Sequence, residues 1–184
     1  MIRNHPGPRV RLNGEHGDGK YTKYDILNFA VGGYNIFQTI LAMEKKVFAF
    51  QPDAVFCIAH VRDEARAFRY LLDMPRELIP FAELREILER ANIREDTKPR
   101  KAFRRLEPYM DDILRWAYGR IVELCRREKV LPVWICLPSE PGEKAPRKTA
   151  QLVSLAQQAG FVVLNLSDVY DGYDGPSLQV AAWD

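Results

Sequence analysis

Short apolar runs alternate with stretches of helical spacing along the chain. Asp25 to Val31 reads as a buried strand, and the pair Gly32-Gly33 after it allows a tight turn, since glycine lacks the Cβ that excludes most backbone angles. Asn35 is placed to cap the next helix, with Gln38 three residues on at capping-box spacing. Phe37, Ile40, Leu41, Met43, Val47 and Phe48 then recur at roughly helical intervals. After a turn at Gln51-Pro52-Asp53, Ala54 to Ala59 is continuously apolar, which suits a strand of a parallel sheet covered on both faces. Strand, helix and strand in this order make a βαβ unit with a right-handed crossover.

Arg62 to Leu72 reads as a helix, and Pro80 opens another with Phe81, Leu84, Ile87, Leu88 and Ala91 on one side. Ile93 to Arg105 is highly charged and predicted to lie in solvent. Asp73 to Glu107 reads as an insertion over the carboxyl edge of the sheet, either a surface connection or a cap that shapes a substrate site. The longest helix is predicted from Pro108 to Lys129, with Trp116 and Tyr118 as packing residues and basic residues at its end, where cations complement the helix dipole. Pro132 to Leu137 gives a strand, Ser139 to Arg147 a polar loop, and Lys148 to Gln158 a helix that Gly160 is suited to end. Phe161 to Leu166 is the last strand, followed by a loop from Asp168 to Leu178. Met1 to Tyr24 has no sustained period, although Arg9 to Leu12 suits a short strand. The pattern is that of a doubly wound α/β fold.

Composition narrows the function classes. At 184 residues and 47% hydrophobic, the chain is expected to build one core and one domain. A net charge of +2 with acids and bases mixed argues against a nucleic-acid binder, and no apolar run is long enough to span a membrane. Cys57, Cys125 and Cys136 fall on apolar strands or an apolar helical face, so they read as buried free thiols, with no metal-ligand spacing among them. His5 and His16 read as solvated loop residues. No metal or cofactor is expected.

The stretch Leu27-Asn-Phe-Ala-Val-Gly-Gly-Tyr-Asn-Ile-Phe-Gln38, followed by Gln51-Pro-Asp-Ala-Val55 and a strand, resembles the SGNH (GDSL-type) ester hydrolases. The resemblance implies a flavodoxin-like three-layer α/β/α fold with a mostly parallel sheet. It also implies cleavage or transfer of acyl esters by a serine nucleophile, with a small-molecule or carbohydrate ester as substrate. Asn28 to Gly33 resembles the family's Asn-x-(Gly/Ala)-Val-x-Gly turn, which makes Gly33 the glycine whose amide helps form the oxyanion hole. His60-Val61-Arg62-Asp63 stands where the family has Gly-x-Asn-Asp, so Arg62 occupies the position of the oxyanion asparagine. Trp183-Asp184 resembles the lead-in to the last block, where an aspartate orients a histidine base; Asp184 is then that aspartate.

Nothing from Met1 to Tyr24 resembles the Gly-Asp-Ser block that carries the nucleophile, and the histidine expected after Asp184 is not present. The expectation is therefore an internal segment of a longer enzyme, lacking the family's first strand and inactive alone. A rival triad of His60 and Ser139 with a nearby acid, an O-acyltransferase on the same fold, and a catalytically silent α/β binding module are the alternatives. A nucleotide-binding reading ranks below them, because no third glycine completes a Gly-x-Gly-x-x-Gly fingerprint after Gly32.

Overall fold

The structure, a computed structural model, describes residues 25–59, 63–137 and 146–173. Backbone packing divides the chain into two compact units, Met1–Gly32 and Gly33–Asp184. The described part of the first unit, residues 25–32, contains no strand, against the expectation for Asp25 to Val31. The Asn28 Oδ1 accepts the Ala30 N–H at 2.8 Å, a local bond that competes with sheet pairing, and Ile26, Leu27 and Val31 stay exposed.

The second unit contains the sheet. Strands β1 (Ala54–Ala59), β2 (Leu131–Cys136) and β3 (Val162–Asn165) are parallel and lie in that order, with Phe56 beside Val133 and Val133 beside Val162. The chain belongs to the α/β class that the alternating pattern predicts. Among the described residues six α-helices accompany the strands: α1 (Ile36–Lys45), α2 (Asp63–Asp73), α3 (Ala82–Arg90), α4 (Pro99–Leu106), α5 (Met110–Arg127) and α6 (Pro146–Ala159). None of the described helices is long and apolar enough to cross a membrane.

The core follows from the apolar stripe of α5. Met110, Ile113, Leu114, Ala117, Ile121, Leu124 and Cys125 are all buried, and α5 packs against β2, α6 and α1. On the covered face of the sheet, Trp134 is 1% exposed and meets the Tyr118 ring edge-on at 6.1 Å. Side chains alternate across a strand, so Phe56, Ile58, Val162 and Leu164 fall on the opposite face. Those four are exposed there, at 61%, 56%, 52% and 45%. The second helical layer of a three-layer arrangement is not among the described residues.

Between α2 and α5 the structure departs from the expected solvated stretch. Lys98-Pro99 starts α4, since proline is tolerated in a first helical turn, and Ile93, Ala102 and Leu106 are buried. A stripe that narrow is masked in the sequence by the arginines and lysines around it. Helix α4 packs on α2 through Phe103 and Phe68, whose ring centroids are 4.6 Å apart.

Helix α1 starts as its sequence predicts. The Asn35 Oδ1 accepts the N–H groups of Phe37 and Gln38 at 2.9 and 3.2 Å, and the Gln38 Oε1 accepts the Asn35 N–H at 3.0 Å. Asn35 is the one buried polar residue of the described core, so losing these bonds strands donors away from water. Asn35→Ala is expected to destabilise the chain by about 1–2 kcal/mol, read from the urea midpoint by circular dichroism.

Candidate functional site

The first turn of α1 and one face of α2 enclose an open cleft of about 550 Å³. Gly33 and Asn35 stand on one side, and Arg66, Arg69, Tyr70 and Asp73 on the other. Gly33 has φ +85°, a conformation that L side chains rarely adopt, and a Cβ built there would meet no atom within 4 Å. The turn therefore needs glycine for its backbone angle and leaves the peptide approachable. The Asn35 and Gln38 capping box follows two residues on.

On α2, Ala67, Phe68 and Leu71 point into the core. Arg66, Arg69, Tyr70 and Asp73 recur at three-, four- and seven-residue steps on another side of the same helix. This polar stripe is present in the sequence at helical spacing, yet no ester-hydrolase motif covers it. Arg66 pairs with Asp63 at 3.5 Å through two partly exposed side chains, an arrangement that contributes little. Arg69 and Asp73 make no ion pair among the described residues, and Tyr70 lays its ring against Phe37 at a centroid distance of 5.5 Å. Burial raises the Tyr70 phenol above its ordinary range, so it stays a neutral hydrogen-bonding group at physiological pH.

Asp63 opens α2 just past the carboxyl end of β1, the end at which open α/β sheets hold ligands. Its charge reaches the buried groups beneath. Burial first, and the Asp63 carboxylate second, raise the Cys136 thiol. Burial likewise raises the Tyr118 phenol, against a lowering from the neighbouring Trp134 indole. That indole Nε1 nonetheless lacks an acceptor at hydrogen-bonding geometry, so the Tyr118 and Trp134 contact is chiefly ring packing.

The remaining expected site residues, Arg62 and Asp184, and the rival pair His60 and Ser139, lie outside the described residues. Gly33 is thus the member of the expected set that the structure places, and it places it on the cleft. Trp116 packs against Phe81 and Phe37 at 5.0 and 6.3 Å rather than facing the cleft. Among the described residues no group of histidine, cysteine, aspartate or glutamate side chains could hold a metal ion.

The cysteines are free. Burial, with Cys125 adding to it, pushes the Cys57 thiol from 9.0 to about 12, and burial pushes Cys125 to about 11. An acid whose folded pKa is raised leaves stability intact below its unfolded value, and that stability is lost as the pH climbs toward the folded value. The urea midpoint is therefore expected to be level with respect to these thiols below about pH 9 and to fall above it. The fall should be shallower in Cys57→Ala, and a disulfide-exchange reagent at pH 8 should label the two buried thiols, Cys125 and Cys136, only as fast as the chain opens, with the half-buried Cys57 labelled first.

The chain matches no family model, no curated protein and no solved structure.

Proposed function

We propose that this chain is a segment of an SGNH-type serine ester hydrolase that cleaves an acyl ester of a small molecule or carbohydrate. One observation carries the reading. The glycine that the motif makes an oxyanion donor has a positive φ, open space around it and a place on the rim of the cleft. Attack of a serine hydroxyl on an ester carbonyl puts negative charge on the carbonyl oxygen. A fixed amide donor aimed there is worth about 3 kcal/mol of barrier.

In this reading the serine and the histidine come from polypeptide flanking these 184 residues. The serine Oγ bonds to the carbonyl carbon as the histidine takes its proton. The alcohol then leaves with that proton, and water releases the acid by the same route. Asp184 orients the histidine, and Arg62 occupies the place of the second oxyanion donor.

The test is hydrolysis of 4-nitrophenyl acetate. The gene product extended at both ends is expected to turn it over and to be silenced by a serine-directed phosphonate. The 184-residue chain is expected to leave it intact. Phosphonate-sensitive turnover by the short chain alone would overturn the segment reading, and an inert extended product would overturn the esterase.

A further inference from the structure

We infer that helix α4 is a binding surface for single-stranded nucleic acid, with Arg100, Lys101 and Arg104 on the phosphates and the Phe103 ring against a base. The surface is independent of the esterase reading. Net charge is only +2, yet phosphates respond to local charge density rather than to a sum over the chain. From Lys98 to Leu106 there are five cations and no acid, the nearest acids along the chain being Asp96 and Glu107. Ala102 and Leu106 are buried, so helical spacing turns Arg100, Lys101 and Arg104 outward, and all three are exposed. None of the three makes an ion pair among the described residues. Arg105 instead donates to the Asn92 carbonyl at 2.5 Å and ties the helix to the turn before it. This arrangement costs the fold. Arg100 and Arg104 repel across one turn, and cations in the first turn oppose the helix dipole, with no acid there to offset them. An anionic partner relieves that repulsion.

Phe103 selects the kind of anion. Phe68, itself buried, backs its ring at a centroid distance of 4.6 Å with 31° between the planes, and the ring is still 45% exposed. A phenylalanine that anchors a bilayer reaches away from the protein into the acyl boundary. One stacked on a buried ring offers a fixed flat surface instead, which is what an unpaired base stacks on. A duplex keeps its bases in its own stack, so the strand is single. Three residues past α4, Tyr109 holds the Arg90 guanidinium over its ring at 5.6 Å, a second planar cation fixed in place. The helix is about 12 Å long, room for about three phosphates of one strand.

Fluorescence anisotropy of a labelled oligouridylate, titrated with the 184-residue chain at several salt concentrations, tests this. Micromolar binding is expected at low salt, with log affinity falling against log salt at a slope of about −2. Arg100→Ala combined with Arg104→Ala is expected to weaken binding about ten-fold and to bring the slope to about −1. Arg100→Lys combined with Arg104→Lys should keep the slope. Phe103→Leu leaves every charge in place and is expected to lower affinity about five-fold or more with the slope unchanged. All of these side chains are at least partly exposed, so each variant should melt close to the parent by circular dichroism. No binding of the oligouridylate by the parent chain would overturn the proposal. So would affinity that survives both arginine truncations or that Phe103→Leu leaves unchanged. Tighter binding to phosphatidylserine vesicles than to the oligouridylate would overturn it in favour of a membrane surface.

Discussion

Phe37→Ala is expected to take about 3–5 kcal/mol from the stability of the chain, the largest loss of any single truncation in α1. Phe37 is fully buried, and its ring lies 5.5, 6.3 and 6.5 Å from those of Tyr70, Trp116 and Phe81. Those partners come from α2, from α5 and from the residue before α3, so removing the ring opens a void at a junction of four helices. Rigid elements on every side cannot collapse into such a void, which puts the loss at the upper part of the range. Against a total stability of about 5–15 kcal/mol, that is enough to unfold a marginal chain at 37 °C. Phe103→Ala supplies the contrast. Phe103 is 45% exposed and meets a single ring, that of Phe68, so about 1 kcal/mol is expected. Urea titrations of the two variants, followed by circular dichroism, should separate them clearly.

Gly33→Ala in the extended gene product is expected to lower kcat on 4-nitrophenyl acetate by about 100-fold with a smaller change in KM. The added methyl meets nothing, so steric exclusion is not the cause. The effect comes from φ +85°, which alanine adopts only with strain of about 1–2 kcal/mol. Relaxing that strain rotates the peptide, and under the proposed esterase function this moves the amide away from the developing oxyanion. Thermal melting should shift by only a few degrees, so a large kinetic loss with a small stability loss identifies the turn as part of the chemistry. Equal losses in both would assign Gly33 to the fold alone.

The fold was legible where one physical signal ruled. The apolar run Ala54–Ala59 and the runs near Pro132 and Phe161 are strands because nothing within them offers an alternative to the ladder. The α1 cap was legible because a capping box is a local device whose partners lie three residues apart. Residues 25–31 failed for the converse reason. Their apolar content suits a strand, but strand formation needs a neighbour, and the Asn28 side chain satisfies the Ala30 amide without one. Helix α4 was hidden because two buried side chains among so many charges, Ala102 and Leu106, leave little periodic trace. The site divides in the same way. Gly33 was singled out by resemblance to a motif and lies on the cleft, whereas Arg69 and Asp73 stand out only once α2 turns them toward the same open space.

Strand β1 has a neighbour on one side only among the described residues, and its sequence Ala54-Val-Phe-Cys-Ile-Ala59 contains neither a charge nor a proline. Among the described residues nothing along that rim discourages annealing to a like ribbon from another molecule in a crowded refolding mixture. Recovery of the chain from inclusion bodies will therefore depend on dilution more than on the choice of denaturant. Phe56→Lys, which sets a charge on the bare side of the ribbon, is the single change that should raise the yield.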